Sequence, residues 1–330
     1  MQLTHARLLS VRERIREWVR ETPLVPFPSG DARVDLRLKL ECRQVTGAFK
    51  ARGAANHALM FERGRGIATC SSGNHAKAIA WAAAHRGVAA RVHMPANSYP
   101  SKIDACRALG AEVVLAPTRV AAEEAFHHSV HEGWASAPPY DSEVTIAGQA
   151  SVGLELLEQW PDVDVVVVQV GGGGLLAGVT LACAQDQSKQ RRVLGVEPEG
   201  AASLARALAT GVVEPLPQVT SQIQGLTPPG TGKLNFAIAR EHGVQVDTLS
   251  DEAILRAQAR LVRELGEDVE PAGAAAAARV FAGLPEAWFA GRTAPLRVAA
   301  IVSGANGHPH QLAMLRDGRA EWLWPDGKRP

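Results

Sequence analysis

The chain has 330 residues, and 46% of them are hydrophobic, which is enough for one large domain or two domains of medium size. Its 35 Lys and Arg residues are balanced by 34 Asp and Glu residues, so net charge gives no reason to expect binding to nucleic acid or to an anionic membrane. This balance favours a protein that acts on small molecules. The four cysteines form no CxxC pair, which indicates reduced thiols in a cytoplasmic protein.

The N-terminal segment is charged and has the periodicity of an amphipathic helix, with Leu8, Val11, Ile15 and Val19 on one face. It contains no long apolar stretch. The segment therefore predicts neither a signal peptide nor a membrane anchor.

From residue 66 onward, short β-branched segments alternate with longer alanine-rich segments, which is typical of βαβ units around a parallel sheet. The predicted strands are GIATC, AARVHMP and AEVVLAP, and the predicted helices are NHAKAIAWAAAHRG, YPSKIDACRALG and VAAEEAFHHSVHEGW. The segment SAPPYDSEVTIAG, with two prolines and an aspartate, then interrupts the pattern. We predict a small, substrate-side domain over residues 66–141.

The rest of the chain repeats the alternation on a larger scale. It predicts a helix over 149–160, the buried strand VDVVVVQV, the helix LLAGVTLACAQ, the strand RRVLGVE, two further helices and a last strand in LRVAAIVSGAN. We therefore predict a two-lobed, three-layer αβα fold of the α/β class with open, mostly parallel sheets. Residues 1–65 and 142–330 form its large domain, into which the small domain is inserted. The aromatic tail EWLWPDG is predicted to pack, at a subunit contact.

Four consecutive glycines, Gly171 to Gly174, stand between the strand VDVVVVQV and the following helix. Such a loop leaves several backbone N–H groups free at a helix N-terminus, where amides and helix dipole both favour an anion. A tight turn with only a structural role rarely needs four glycines. The pattern therefore predicts a phosphate site.

This phosphate site has two interpretations. Gly172, Gly174 and Ala177 fit the pattern G-x-G-x-x-A, and Glu197 ends the next strand where a ribose-binding acid is expected. A NAD-dependent oxidoreductase is thus one hypothesis. It leaves the segments TGAFK and SSGNHA unexplained.

Those two segments belong to a set of nine that occur in the order found in one enzyme family. The segments are KLECRQVTGAFKARGAAN, ATCSSGNHAKAIAWAA, RVHMPANSYPSK, GAEVVL, TIAGQAS, VVQVGGGGLLAG, GVEP, EPAGA and IVSGAN. From about Thr22 to Asn306 the chain resembles the threonine and serine dehydratases and serine racemases, which are pyridoxal-phosphate (PLP) enzymes of fold type II, the tryptophan-synthase-β fold. The resemblance implies PLP bound between the lobes, a small amino-acid substrate and a homodimer.

The resemblance also assigns the cofactor contacts. Lys50 matches the lysine that forms a Schiff base with PLP and then takes the α-proton, a role that a lowered pKa would support. Phe49 would lie against the cofactor ring, and Asn74 would hold its 3-hydroxyl. Ser303 would meet the pyridine nitrogen, where a neutral hydroxyl does not enforce protonation as a carboxylate would. Gly225 would present its carbonyl near Lys50.

The turn SSGNHA is assigned to the substrate. Its amides and hydroxyls would receive the substrate carboxylate, and its residues are Ser71, Ser72, Gly73, Asn74 and His75. From the residues alone, N-capping of a helix by Ser72 or Asn74 is the better explanation. In racemases of the family a serine at the position of Ser72 exchanges a proton on the cofactor face opposite the lysine.

Two possible metal sites remain. In many relatives a glutamate, a backbone carbonyl and an aspartate hold a cation; here Glu197 and Ala201 match, but Ser203 replaces the acid, so cation binding should be weak. The segment EEAFHHSVHE has His127 and His131 at a metal-compatible spacing, although a solvated helix face explains it better.

Together these features predict a PLP-dependent ammonia-lyase that converts L-threonine or L-serine to a 2-oxo acid and ammonia. Serine racemase and 3-hydroxyaspartate ammonia-lyase use the same machinery and stay open as alternatives. A protein with the PLP fold but no catalysis is a further hypothesis, beside the oxidoreductase.

Overall fold

The computed structural model describes residues 3–61, 64–186 and 188–319. Its helices are α1 (His5–Ile15), α2 (Lys50–Met60), α3 (Asn74–Arg86), α4 (Pro100–Ala108), α5 (Arg119–His131), α6 (Glu143–Gln159), α7 (Gly174–Gln185), α8 (Ser203–Thr210), α9 (Lys233–Glu241), α10 (Asp251–Leu265), α11 (Pro271–Phe281) and α12 (Pro309–Arg316). The predicted packing of the tail EWLWPDG falls outside the described residues.

The strands form two sheets. They are β1 (Leu24–Pro26), β2 (Val34–Lys39), β3 (Ile67–Cys70), β4 (Ala90–Pro95), β5 (Glu112–Ala116), β6 (Ala135–Ser136), β7 (Val165–Gln169), β8 (Arg192–Pro198), β9 (Gln245–Leu249) and β10 (Leu296–Ile301). The large sheet has the order β1-β2-β10-β7-β8-β9, and the small sheet has the order β5-β4-β3-β6. All neighbouring strands are parallel except β1 and β2.

Helices cover both faces of the large sheet because its central strands are apolar on both faces. Val165 and Val167 of β7 pack with α10, α11 and α12, whereas Val166 and Val168 pack with α6, α7, α8 and α9. This alternation follows from the two-residue period of a strand. The α/β class and the mostly parallel sheets agree with the prediction.

The small sheet is built from residues 67–136 and has its own core. Ile67, Val92 and Met94 pack against helices α2, α3 and α4, while α5 contacts the strands β3, β4 and β5. All four strands lie within the predicted insertion. We propose the boundaries 66 and 141 for this domain.

Helix α6 differs from its predicted bounds. It begins at Glu143, six residues before the predicted start, because the hydroxyl of Ser142 accepts from the N–H of Val144 at 3.2 Å and caps the helix. The two prolines before it end the small domain but do not extend the loop. The prediction also missed the antiparallel pair β1–β2 and the short elements β6, β9, α8, α9 and α12.

Candidate active site

The candidate site lies at the carboxyl ends of two neighbouring strands of the large sheet. β7 is followed by the glycine loop 171–174, and β10, which pairs with β7, is followed by Ser303. Open α/β sheets place ligand sites at this edge, where the loops that leave parallel strands meet.

The segment that carries Lys50 is hydrogen-bonded to the end of β10. The backbone of Ala48 forms a bridge with Gly304, and the N–H of Phe49 donates to the carbonyl of Ser303 at 3.0 Å. Helix α2 begins at Lys50, so the amine extends from the first turn of this helix. Lys50, Phe49 and Ser303 are thereby brought together, as predicted from the resemblance.

The amine of Lys50 is half-buried among neutral groups. Its Nζ donates to the carbonyl of Pro139 at 2.5 Å and lies 5.0 Å from the centroid of the Phe49 ring. Burial lowers the pKa of Lys50 from 10.5 to about 8. A substantial fraction of the amine is therefore uncharged near neutral pH, as a nucleophilic lysine requires.

The glycine loop is held by one carbonyl, which leaves its amides on the other side. The carbonyl of Gly172 accepts hydrogen bonds from the N–H of Gly232 at 3.0 Å, the Nδ2 of Asn235 at 2.7 Å and the hydroxyl of Thr231 at 3.3 Å. Since the peptide unit is planar and trans, the N–H of Gly173 points away from these donors. No side chain of the N-cap residue, Gly173, caps α7. The first-turn N–H groups thus fit the phosphate of PLP.

Tyr140 packs against the same loop. A Cβ atom on Gly172 would lie 2.2 Å from the Cγ of Tyr140, and one on Gly174 would lie 2.9 Å from the Tyr140 carbonyl oxygen. Gly173 has φ 94°, a conformation that L-residues rarely adopt. The number of glycines therefore has a packing explanation as well, and the direction of the amides is the better indication of a phosphate site.

The turn SSGNHA begins α3 with the N-cap Gly73, which has no side-chain cap, so capping by Ser72 or Asn74 is not observed. The hydroxyl of Ser71 accepts from the N–H of Gly73 at 3.3 Å. The imidazole of His75 is buried with Nε2 2.9 Å from the carbonyl of Ala137, and burial holds its pKa well below the usual range. The backbone amides at the start of α3 are thus the groups that could receive a carboxylate.

Asn74 connects the two domains through side-chain hydrogen bonds. Its Nδ2 donates to Oε1 of Glu270 at 2.5 Å, and its Oδ1 accepts from Nδ2 of Asn306 at 2.8 Å. Glu270 is buried, which raises its pKa to about 6. Sequence reasoning quoted EPAGA and SGAN in the resemblance but gave neither Glu270 nor Asn306 a role. Their signal was a polar residue beside glycine in a motif after a predicted strand or helix.

Gly225 lies against the glycine loop. A Cβ atom built on Gly171 would be 2.8 Å from the carbonyl oxygen of Gly225, which itself has φ 94°. This contact places the predicted carbonyl at the loop that follows β7.

The predicted metal residues have another structural role. Glu197 is fully buried, and its carboxyl oxygens accept from the N–H groups of Leu204 at 2.9 Å and Ala205 at 2.8 Å, in the first turn of α8. The Ser203 hydroxyl lies 3.4 Å from the same carboxyl group, and burial raises the pKa of Glu197 to about 7. Ala201 lies in the preceding 3-10 helix. In the described part of the chain, no group of three His, Cys, Asp or Glu residues is arranged to hold a metal ion.

Comparison with known proteins identifies the family. Residues 15–304 match the family described as "Pyridoxal-phosphate dependent enzyme". The chain belongs to this family. It is 35% identical over 309 residues to the phenylserine dehydratase of Ralstonia pickettii, covering 91% of this chain and 92% of that protein. It is 34% identical over 310 residues to a serine racemase of Oryza sativa subsp. indica, covering 90% of each.

The fold is shared with a solved threonine deaminase from the organism abbreviated T.th.. The deaminase structure superposes with a TM-score of 0.84 at 37% identity and covers 92% of this chain and 99% of the deaminase. The predicted resemblance to the threonine and serine dehydratases and serine racemases is confirmed, and so is PLP as the cofactor. The comparisons support a PLP-dependent dehydratase or racemase.

The oxidoreductase hypothesis is wrong for this chain. The family uses PLP, and the carboxyl group of Glu197, the expected ribose ligand, already accepts from the amides of α8. None of the described helices combines the length and apolar composition needed to cross a bilayer.

Proposed function

We propose that the protein is a PLP-dependent ammonia-lyase that converts a small L-β-hydroxy amino acid, L-threonine or L-serine, to a 2-oxo acid and ammonia. The observation that carries this proposal is the amine of Lys50, whose pKa is lowered to about 8 at the sheet edge where the uncapped glycine loop begins α7. Relatives named as dehydratase and deaminase support it.

In this proposal the cofactor is held at three points. The amides of Gly171 to Gly174 bind the phosphate, Asn74 faces the 3-hydroxyl and Ser303 faces the pyridine nitrogen. Phe49 lies against the ring, and the carbonyl of Gly225 approaches from the glycine loop. PLP supplies electron withdrawal from the substrate α-carbon.

Lys50 is the covalent attachment point and the base. Its uncharged amine can accept the substrate α-proton, and the carbonyl of Pro139, 2.5 Å away, restricts where that amine points. After the β-hydroxyl leaves as water, the released enamine is hydrolysed to the 2-oxo acid and ammonia.

The start of α3 binds the substrate carboxylate. The N–H groups of the turn Ser71 to His75 and the hydroxyls of Ser71 and Ser72 provide donors, and the helix dipole favours the anion. Elimination needs only the Lys50 face, whereas racemisation also needs a proton donor opposite it, for which Ser72 is the candidate. Racemisation of serine and elimination from 3-hydroxyaspartate are the alternatives that use the same residues.

The test compares purified wild-type protein with Lys50→Ala and Ser72→Ala. Wild-type protein should be yellow and release ammonia from L-threonine or L-serine faster than it forms D-serine. Lys50→Ala should lose both the visible absorption and turnover, and Ser72→Ala should lose D-serine formation while keeping part of the elimination.

Two outcomes would overturn the substrate assignment. If the wild type converts L-serine mainly to D-serine, the protein is a racemase. If neither L-serine nor L-threonine reacts but 3-hydroxyaspartate or phenylserine does, the mechanism holds and the substrate is different.

A further inference from the structure

A chain of four side chains crosses from the small domain to the large domain and back. Lys77 Nζ donates to Oδ1 of Asn306 at 2.8 Å, Asn306 Nδ2 donates to Oδ1 of Asn74 at 2.8 Å, and Asn74 Nδ2 donates to Oε1 of Glu270 at 2.5 Å. Lys77 and Asn74 lie on α3 of the small domain, whereas Asn306 and Glu270 belong to the large domain.

The two ends of this chain determine its direction. An ammonium group can only donate, and an ionised carboxylate can only accept. Lys77 therefore requires the oxygen of the Asn306 amide, which turns the Asn306 nitrogen toward Asn74. That nitrogen also donates to the carbonyl of Thr46 at 3.0 Å, which fixes the same orientation independently. Amide orientation, often an arbitrary assignment, is determined here by chemistry.

We infer that Lys77 is a positioning residue that, through Asn306, sets the orientation of the Asn74 amide toward the cofactor; this rests on the proposed function, in which Asn74 faces the 3-hydroxyl of PLP. With its oxygen engaged by Asn306, Asn74 presents its nitrogen to Glu270 and to the cofactor. One of its two hydrogens goes to Glu270, and the second is left for the cofactor oxygen. With the amide reversed, an oxygen would face both acceptors.

Two further observations fit this role. Glu270 is buried and has a pKa near 6, so above that pH it is an acceptor-only group at the end of the chain. A Cβ atom on Gly304 would lie 2.1 Å from Oε1 of Glu270, so glycine at this position is required for the carboxylate to reach Asn74.

Lys102 provides a matched control. Lys77 and Lys102 line the same cavity of about 700 Å³, which Asn74, Glu270 and Asn306 also line. Both lysines lie close enough to Glu270 to influence its pKa. Lys102, however, donates to Oε1 of Gln224 at 2.7 Å and takes no part in the chain. Removing either amine deletes the same charge, but only one removal frees Asn306.

The experiment measures PLP binding to apoenzyme by absorbance titration for the wild type, Lys77→Met, Lys77→Arg and Lys102→Met. Lys77→Met should bind PLP about tenfold more weakly, the cost of about one misdirected hydrogen bond, and its visible absorption maximum should shift. Lys77→Arg, which also only donates, should retain most of the affinity and the wild-type maximum. Lys102→Met should resemble the wild type.

Equal weakening by Lys77→Met and Lys102→Met would show that charge alone acts, and unchanged binding by Lys77→Met would show that the chain does not orient Asn74. Either result overturns the inference. Should Lys77→Met not fold, as judged by thermal unfolding of the apoenzyme, Lys77→Gln replaces it, because its amide can present oxygen to Asn306; wild-type affinity in that variant also overturns the inference. If wild-type apoenzyme itself fails to bind PLP, the proposed function is what fails.

Discussion

Two buried lysines, Lys50 and Lys39, show how partners decide what an amine can do. Burial alone lowers the pKa of Lys50 to about 8, and its hydrogen-bond acceptor is a neutral carbonyl. Burial also lowers the pKa of Lys39, but the carboxylates of Glu155 and Glu41 oppose that shift, and Lys39 Nζ lies 2.8 Å from Oε2 of Glu155. Lys39 is therefore stabilised as an ion, whereas Lys50 is available as a base.

This difference can be tested by chemical labelling of the apoenzyme. Cyanate reacts only with uncharged amines, so carbamoylation of Lys50 should rise through a midpoint near pH 8. Exposed Lys233 serves as the internal reference in the same peptide digest. A Lys50 midpoint near 10.5, the ordinary lysine value, would contradict the lowered pKa.

The same shift affects stability in a defined pH window. Since the unfolded chain binds this proton more tightly than the folded apoenzyme does, the contribution of Lys50 to stability should improve as pH rises from about 8 toward 10.5. Below pH 8 its full unfavourable contribution is present. Urea unfolding of the apoenzyme and of Lys50→Met at several pH values measures it.

At the scale of elements, the glycine loop combines a strained backbone with an anion site. Gly173 has φ 94°, and an added Cβ atom would lie 2.9 Å from the Cβ of Asn235. Asn235 in turn holds the carbonyl of Gly172 at 2.7 Å. A side chain at Gly173 would therefore disturb the residue that directs the amides toward the phosphate.

We expect Gly173→Ala to bind PLP at least about tenfold more weakly, as judged by titration of apoenzyme. Gly211→Ala is the matched control, because Gly211 has φ 75° at the end of α8 and open space around it. Both variants should lose about 1–2 kcal/mol of stability from the left-handed conformation. Equal PLP affinity in the two variants would show that the phosphate binds elsewhere.

Glu197 shows an element stabilised by a carboxylate where relatives use a cation. Its two oxygens accept from the first-turn amides of α8. Treatment with a chelator and then Mg²⁺ or Ca²⁺ should accordingly change turnover by less than about twofold. Strong loss and recovery would mean that another acid, such as Glu199, completes a cation site.

The sequence predicted the central strands and the long helices well, because their apolar periodicity is decided by the large sheet and its helices. It missed β9 and α8, which are short and partly exposed and so carry little periodicity. Lys50, Asn74 and Ser303 were found through motifs, and their roles stay predictions. Lys77, Tyr140 and Glu270 were not singled out, because their contacts join residues that are far apart in the chain and depend on how the two domains meet.

At the scale of the whole molecule, a buried network of charges joins the first 60 residues to α6. Arg52 is fully buried and donates to both oxygens of Glu41 and both oxygens of Glu155, at distances from 2.6 to 2.8 Å. Lys39 adds a second cation to Glu155, so two positive and two negative groups balance. Arg52 lies two residues after Lys50, and the network thereby anchors the helix that carries the amine.

Arg52→Met should destabilise the protein by about 3–5 kcal/mol, because two buried carboxylates lose their main partner. Arg256→Met, which removes an exposed pair with Glu252, should cost less than about 1 kcal/mol. Urea unfolding of both variants provides the measurement. A loss below about 1 kcal/mol in Arg52→Met would show that the network is not a main source of stability. The cytoplasmic location and the homodimer stay predictions, the latter open to light scattering.

The strand order has a consequence for how the chain is made. β10, residues 296–301, is inserted between β2 and β7, and the segment before Lys50 is hydrogen-bonded to the residues that follow it. On the ribosome, the reactive lysine is therefore synthesised early but lacks its surroundings until almost the whole chain has emerged. Until then β2 and β7 have unpaired edges, and their joining must wait for contacts that are distant in sequence, which is a slow step in folding. A nascent chain that ends before β10 has Lys50 but no pocket for it, so reaction with the cofactor is delayed until synthesis is nearly finished.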